Sequence, residues 1–572
     1  MRLKIIRIGI IGLFLIIVLE LFYLQVIQGR YYYALSRNNR IRVVPLEGWR
    51  GRILDRNGKV LADNRISFNA AITPQEINGR EQELFRFLAA VFNVPQEGLL
   101  KKYNQRKVTP FTPVLLAEDI SRNQAMVIEE NSYRFPSLTV QESFKRFYPM
   151  GSAGAHLLGY VGKINQSKME QLKEYGYSPE TVVGYSGVEE FYDGDLRGSM
   201  GGVQIEVNHR GEEVRILSLK EPTKGRDIHL TVDTELEHMT QELLEGRSGA
   251  IIVMDMENGG ILGMASSPAY DPNVFVDNEN RERIRGLFSH PQSPLLNRAI
   301  QGLFPPGSVF KIPVSICALD TKKITFEKSF YCPGYYELGA TKFRCTHAHG
   351  TQNLIGAIAY SCNVYYYNVG LMIGEENIYH YAKKLGLGSL ANIDLPFEER
   401  GYISSRQQRL LKTGKRWYPG DTLNLSIGQG DTLTTPLQLV KMMTTIAQGG
   451  EEVQPHLIQE IGSHLVEKYS LKRSVLIDKK VFEPVQKGLR AAVAEDSGTA
   501  HVLDIPGVYI AGKTGTVQTA KTGNDHAWFV GYTKNTKKEI AFCVFLEHGG
   551  SSYNACLVAK DLLLQLQKKG IL

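Results

Sequence analysis

The stretch Pro305-Pro306-Gly307-Ser308-Val309-Phe310-Lys311 decides how the rest of the chain is read. A Pro-Pro-Gly run cannot lie inside a helix, whereas proline is tolerated in a first helical turn. The apolar residues that follow, Val309, Phe310, Ile312, Val314 and Ile316, predict the start of a buried helix. Ser308 then stands near a helix N-terminus, with Lys311 one turn on and on the same face. A serine hydroxyl attacks poorly until a base takes its proton, and a neutral lysine at i+3 is placed to do so. Backbone N–H groups at a helix start can also stabilise an oxyanion. Ser-x-x-Lys is common by chance, and the plain alternative is a solvated pair at a helix start. Two later stretches weigh against that alternative.

The second stretch is Ser361-Cys362-Asn363, between an apolar run (Leu354 to Tyr360) and an aromatic one (Val364 to Tyr367). Ser and Asn between two helices cap them well. The chemical reading has Ser361 relaying a proton while Asn363 hydrogen-bonds Lys311 and a substrate amide. The third stretch is Lys513-Thr514-Gly515-Thr516, after the strand-like Val508 to Gly512. A glycine in an edge strand lets a substrate backbone come close and pair with it. Lys513 supplies positive charge for a carboxylate and Thr514 a hydroxyl donor. Lys-Thr-Gly also occurs at Lys412 and Lys521, but only the Lys513 copy follows an apolar strand. The other two sit in polar, turn-like stretches and are set aside.

Outward from these motifs, 572 residues predict two to four domains. With 43% hydrophobic and 22% charged residues the composition is globular, and a net charge of +7 without a dense basic block argues against nucleic-acid binding. Arg2, Lys4 and Arg7 precede a nearly unbroken apolar run, Ile8 to Ile27. Twenty helical residues rise about 30 Å, enough to span a bilayer. The basic end is expected to stay in the cytoplasm and the bulk of the chain outside the inner membrane. No small-x-small cleavage site follows, so an uncleaved anchor (residues 1–28) is expected. Residues 29–231 are mixed and predict a non-catalytic pedestal, with a hairpin over Arg50 to Ala62. Residues 232–572 read as an α+β domain: helix, paired strands, the Ser308 helix, a helical middle, closing strands and a last helix.

The order Ser-x-x-Lys, Ser-x-Asn, Lys-Thr-Gly resembles the penicillin-recognising serine transferases, that is, penicillin-binding proteins and serine β-lactamases. The hairpin, Tyr148-Pro149, Gly187-Val188-Glu189, Gly428-Gln429-Gly430 and Thr435-Pro436-Leu437-Gln438 resemble class B penicillin-binding proteins. Trp417-Tyr418-Pro419-Gly420-Asp421-Thr422 resembles the elongation type, penicillin-binding protein 2. The resemblance implies a transpeptidase domain of the serine β-lactamase type on an elongated pedestal. It implies a D,D-transpeptidase that cross-links peptidoglycan stem peptides through an acyl-enzyme on Ser308 and is inhibited by β-lactams. Lys311 is the implied base, lowered by burial and by Lys513. Ser361 and Asn363 assist it, Lys513, Thr514, Gly515 and Thr516 bind the substrate, and the N–H groups of Ser308 and Thr516 form the oxyanion hole. The implied partners are the membrane, a SEDS-family glycosyltransferase and other proteins of the elongation complex. A D,D-carboxypeptidase would use the same residues, and a β-lactam sensor would need a cytoplasmic domain that some seven residues cannot supply.

Cys332, Cys345, His349 and Cys362 fall within residues 332–362. Three thiols and an imidazole match the ligand set of a tetrahedral structural zinc site, although no C-x-x-C knuckle is present. Buried small hydrophobes or a Cys332–Cys345 disulfide are the alternatives. The family resemblance favours zinc, since penicillin-binding protein 2 members can carry it beside the Ser-x-Asn turn. Cysteine here replaces aspartate ligands of some members, and His347 could stand in for His349. No cofactor is implied for the chemistry itself.

Overall fold

The computed structural model describes residues 2–32, 41–46, 48–77, 79–110, 112–175, 177, 181–207, 213–277, 280–469, 471–518 and 525–572. The chain begins with a helix, Arg2–Phe22, that widens into a π-helical turn, Tyr23–Ile27. Its apolar part, Ile5–Ile27, has 23 residues, and no part of it is buried in the protein. At 1.5 Å per residue this spans about 34 Å, long and apolar enough to cross a bilayer.

The chain, this helix included, forms two compact units, each assembled from several stretches. The smaller comprises Met1–Gly51, Asn64–Lys145 and Arg197–Gly225, and the larger Arg52–Asp63, Arg146–Leu196 and Arg226–Leu572. In the smaller unit Ile41–Leu46, Gly201–Val207 and Glu213–Lys220 make an antiparallel sheet. Its separate apolar core gathers Leu84, Phe85 and Leu88 of one helix against Leu116 and Ile128. The helix Arg122–Glu130 starts at a capping box in which Ser121 and Gln124 satisfy each other's backbone N–H groups.

In the larger unit the expected hairpin is present, with Ile53 opposite Ala62. Asp55 explains its sequence. One carboxylate oxygen accepts the N–H groups of Asn57 and Lys59, each at 2.8 Å, and closes the Asn57-Gly58 turn. The other accepts the Thr234 N–H and hydroxyl at 3.2 and 2.7 Å, where helix α1 (Thr234–Leu243) begins. The motifs at Tyr148 and Glu189 likewise find a scaffolding role. Arg146 and Glu189 form a buried ion pair with Nε–Oε1 at 2.6 Å, and the Tyr148 hydroxyl donates to the same oxygen at 3.2 Å. Removing one member of such a pair leaves a bare buried charge and costs about 3–5 kcal/mol.

Behind α1 lie strands β1 (Gly249–Asp255) and β2 (Ile261–Ser267). The chain then runs through a 3-10 turn, Gly307–Phe310, into α2 (Lys311–Asp320). Helices α3 (Leu354–Ala359), α4 (Asn363–Ile373), α5 (Pro419–Ser426), α6 (Pro436–Ala447) and α7 (Phe482–Ala494) follow. Strands β3 (Tyr509–Val517), β4 (His526–Lys534), β5 (Ile540–Leu546) and the closing helix α8 (Ser552–Lys568) complete the unit. The five strands form one antiparallel sheet in the order β2-β1-β5-β4-β3.

Every residue of β1 and β5 is buried, because both faces of the sheet are covered. Ile251, Val253, Phe542 and Val544 face a core with α1 and α8. Ala250, Ile252, Cys543 and Phe545 face a larger core containing α2, α3, α4 and α6. The period of two sends alternate residues to the two layers. One edge of the sheet, β3, carries the third motif.

Candidate active site

The Pro-Pro-Gly run becomes the entry to the 3-10 turn, and the sequence around it explains how tightly that turn is held. Gly307 has φ +54°. A Cβ there would lie 2.7 Å from Val517 Cγ2 and 3.1 Å from the Thr516 carbonyl oxygen, so only glycine lets the turn rest on β3. Its N–H donates to the Gly428 carbonyl at 3.1 Å, and the fully buried Trp528 donates its indole N–H to the Pro305 carbonyl at 3.1 Å. Ser308, partly exposed, is the second residue of this turn.

Lys311 opens α2 and is completely buried. Its Nζ lies 2.7 Å from the Ser361 carbonyl oxygen, 3.1 Å from Ser361 Oγ and 2.7 Å from Asn363 Oδ1. No hydrogen bond joins it to Ser308 Oγ among the described residues; such catalytic contacts often tighten only when substrate is present. Burial lowers the Lys311 ammonium to about 8, against the opposing influence of Cys345 and Cys362. The sequence expects the nearby Lys513 charge to contribute, and the two buried ammoniums do repel each other. The repulsion is visible from the other partner: Lys513 is pushed well below the ordinary lysine range, first by its own burial and then by Lys311. A buried ammonium pays its desolvation cost before any neighbour acts on it.

The Ser361-Cys362-Asn363 turn joins α3 to α4, as the two flanking runs predicted. Ser361 has φ +59°, a left-handed conformation that non-glycine residues seldom adopt and that clusters at functional sites. Asn363 is fixed at three atoms. Its Oδ1 faces Lys311, its side-chain Nδ2 donates to the Arg344 carbonyl at 3.3 Å, and its backbone N–H donates to Cys345 Sγ at 3.1 Å.

On the facing edge strand, Lys513 and Thr514 are buried, and Thr516 is exposed. Among the described residues Lys513 Nζ has weak contacts at 3.3 and 3.5 Å, with the carbonyl and hydroxyl of Thr514. Gly515 faces the Ser308 turn, where a Cβ would come 3.0 Å from the Pro306 carbonyl oxygen. The Lys412 copy of the tripeptide ends the helix Arg406–Thr413, with Gly414 as its left-handed cap. The Lys521 copy lies outside the described residues.

Cys332, Cys345, His349 and Cys362 converge, with one ligand atom from each inside a 4.8 Å cluster. All six cysteines are free, so the alternative Cys332–Cys345 disulfide is not formed. His349 Nδ1 lies 3.6 Å from Cys332 Sγ and 3.4 Å from Cys345 Sγ. Bond lengths of about 2.3 Å to sulfur and 2.0–2.1 Å to nitrogen give tetrahedron edges of about 3.6 Å, so the donor set fits zinc. The other ring nitrogen, Nε2, donates to the Tyr360 carbonyl at 3.2 Å, the outer-shell bond that fixes a ligating imidazole. His347 packs against His349, with ring centroids 3.9 Å apart and planes tilted by 39°, and is not one of the four.

Three contacts here had no sequence signal. The Ser315 hydroxyl bonds the Lys311 carbonyl at 2.8 Å and the Tyr366 hydroxyl at 2.7 Å, behind the lysine. The Ser552 N–H at the start of α8 donates to Thr516 Oγ1 at 3.2 Å. The Trp528 bond to Pro305 spans 223 residues. A cavity of about 840 Å³ is lined by residues such as Arg56, Asp255, Lys538 and Ile571, and by none of the motif residues. Chemistry rather than volume marks this site.

The penicillin binding protein transpeptidase domain matches residues 249–565, and the penicillin-binding protein dimerisation domain matches residues 45–230. The peptidoglycan D,D-transpeptidase MrdA of Haemophilus influenzae is 32% identical over 97% of this chain and 90% of its own. A complex between penicillin-binding protein 2 and MreC from Helicobacter pylori contains a chain that superposes with a TM-score of 0.84. That chain is 29% identical, and the match covers 93% of this chain and all of that one. A chain from a peptidoglycan synthase complex that coordinates polymerization and crosslinking superposes at 0.74, is 31% identical, and covers 98% of this chain and 97% of its own. With one family domain over more than half its length and such relatives over nearly all of it, the chain belongs to the penicillin-binding protein transpeptidases, and within them to the elongation-type class B proteins, penicillin-binding protein 2.

Proposed function

We propose that this chain cross-links peptidoglycan during cell elongation, as a D,D-transpeptidase working through an acyl-enzyme on Ser308. The observation that carries the reading is the buried Lys311 amine, held by Ser361 and Asn363 one helical turn from Ser308. A neutral amine has two N–H bonds and one lone pair. The Ser361 carbonyl and Asn363 Oδ1 can only accept, so they take both N–H bonds. The lone pair is left for a hydroxyl proton, from Ser361 or from Ser308. Ser308 Oγ attacks the carbonyl of the penultimate D-Ala, its proton passes to Lys311, and terminal D-Ala leaves as the proton reaches its amine. An amine of a neighbouring stem peptide then takes the acyl group.

The N–H groups of Ser308 and Thr516 are the donors for the oxyanion. Lys513, Thr514, Gly515 and Thr516 receive the substrate's terminal carboxylate and backbone. The same attack on a β-lactam amide gives a stable acyl-enzyme. Cys332, Cys345, His349 and Cys362 hold a structural zinc ion. When bound, a closed four-ligand site supplies no reaction step and fixes the residues that carry it.

Residues 29–231 serve as the pedestal and 232–572 as the transpeptidase domain, with the N-terminus in the cytoplasm and the bulk of the chain outside the inner membrane. The anchor and pedestal bind a SEDS-family glycosyltransferase and other elongation proteins. Similarity to the MreC complex and to the synthase complex supports this. Cross-linking beside the polymerase raises the effective concentration of nascent strand. Intact and peptide mass spectrometry of protein labelled with a fluorescent penicillin tests the assignment. One adduct on Ser308, absent in Ser308→Ala at unchanged thermal stability, is expected. Labelling that persists in that variant sinks it.

A further inference from the structure

The three clustered thiols differ in access. Cys332 and Cys362 are fully buried, whereas Cys345 is only partly buried, and the remaining cysteines, Cys317, Cys543 and Cys556, are buried in the cores. Cys345 is therefore the least buried of the three cluster thiols. It is also the sulfur that accepts the Asn363 N–H at 3.1 Å, while Asn363 Oδ1 receives Lys311 at 2.7 Å. Cys362 lies inside the 4.8 Å cluster and between the two residues that hold Lys311. Its neighbour Ser361 is already in the left-handed region at φ +59°. A disulfide needs an S–S length of about 2.05 Å, so bridging two non-bonded sulfurs draws them together by well over 1 Å. Displacements of about 1 Å at a catalytic group can cost on the order of 10²-fold in rate.

We propose that Cys345 is a redox modification site whose oxidation to a disulfide with Cys362 switches off acylation at Ser308. The oxidant is a disulfide, either a small-molecule one or that of a thiol oxidoreductase. The Cys345 thiolate attacks one sulfur of it, forms a mixed disulfide and releases one thiolate. Cys362, already a thiolate as a zinc ligand, leaves the metal, attacks the Cys345 sulfur and releases the second thiolate. Two electrons pass to the oxidant, which leaves as two thiolates that take up protons from solvent, and zinc departs as Zn²⁺ without changing oxidation state. The starting state rests on the zinc site proposed above. The chemistry suits the side of the membrane assigned to this domain, where disulfides persist.

The full-length protein in detergent micelles is first assayed for zinc and then titrated with oxidised glutathione. Zinc release, disulfide-mapped peptides and the rate of fluorescent-penicillin acylation are followed together. A Cys345–Cys362 peptide that accumulates in step with a fall of at least about tenfold in acylation, reversed by reductant and added zinc, is the expected result. Unchanged acylation with that peptide fully formed overturns the proposal, as does a bridge confined to Cys332 and Cys345 or a glutathione adduct that never resolves. Absence of zinc at the outset removes the metal reading alone, since bridge and acylation are still scored. Cys345→Asp puts an oxygen donor in place of the sulfur and removes the attacking thiol. Its own acylation rate is expected to be the same with and without oxidant, and a fall like that of the unaltered protein also overturns the proposal.

Discussion

The two walls of the Ser308 site are held in opposite ways. The Lys513–Thr516 wall is backbone: nine residue pairs register β3 against β4, and both lie in the sheet between two cores. The Ser361–Asn363 wall is a turn with one residue in the left-handed region; beyond two local backbone bonds back to Ala357 and Ile358 it is fixed by side chains: Lys311, the Cys345 sulfur, and Asn363 on the Arg344 carbonyl. A sheet edge is stabilised cooperatively and yields only when the sheet does. A turn held by four or five separate contacts can be loosened one contact at a time. The substrate-binding wall is thus rigid by topology, and the proton-transfer wall is adjustable by local chemistry.

The largest effect expected from this contrast is at the group where the two walls meet electrostatically. Lys311→Ala removes the proton acceptor, and acylation by a fluorescent penicillin should fall by about 10³-fold or more. In the unaltered protein the acylation rate should climb about tenfold per pH unit up to about pH 8 and then level off, because burial holds Lys311 there. A limb that keeps rising toward 10.5, the ordinary lysine value, would show a solvated amine and break the picture. The linkage has a definite sign. The folded value lies below the unfolded one, so the penalty for charging this buried site is full below about pH 8. It fades as pH rises from there toward 10.5.

The strand wall is probed next. In Gly515→Val the new Cβ would meet the Pro306 carbonyl oxygen at 3.0 Å, and Trp528 Cβ and Val309 Cγ2 at 3.2 Å each. None of these can swing aside, so β3 must move off the Ser308 turn. Acylation should drop by about 10²-fold, while the thermal transition shifts by only a few degrees because the rest of the sheet is untouched. Near-normal acylation in this variant would mean that the strand adapts, and the supposed rigidity of that wall would be wrong.

Much of this contrast was legible in the sequence. Prolines and a glycine before an apolar run gave the helix start at Ser308, and the apolar run before Lys513 separated that copy from Lys412, which ends a helix. Three thiols and a histidine gave the cluster. What was not legible depends on contacts far apart in sequence. The buried pair of Arg146 and Glu189, the tie from Trp528 to Pro305 and the interleaving of the two units leave no local periodicity to read. The depth at which Lys311 lies is hidden for the same reason: charge is visible in a sequence, whereas burial is set by the finished core.

The turn wall should respond to metal removal. Dialysis against a strong chelator, checked by elemental analysis, is expected to lower acylation about tenfold and the melting temperature by several degrees together, because the same residues serve both. Zinc should restore both. A loss of stability with acylation intact would show that the cluster staples the 332–362 segment without bracing Asn363.

The smallest effect tests whether Lys311 is positioned by the turn in front of it or by the helix behind it. Ser315 sits one turn along α2 and joins the Lys311 carbonyl to the Tyr366 hydroxyl of α4. Ser315→Ala removes that bridge and leaves the buried Tyr366 hydroxyl without this partner, at a cost of about 1–3 kcal/mol. The three Nζ contacts of Lys311 all lie in the Ser361–Asn363 turn and are untouched. Stability should therefore fall measurably, while acylation changes by less than about threefold, the equivalent of roughly 0.7 kcal/mol. Adding Tyr366→Phe removes the stranded hydroxyl as well, so the double variant should recover part of the lost stability. If Ser315→Ala instead slows acylation as much as chelation does, the backbone of α2 carries the aim of the lysine. The difference between the two walls would then lie in how they bind substrate and not in how they hold the base.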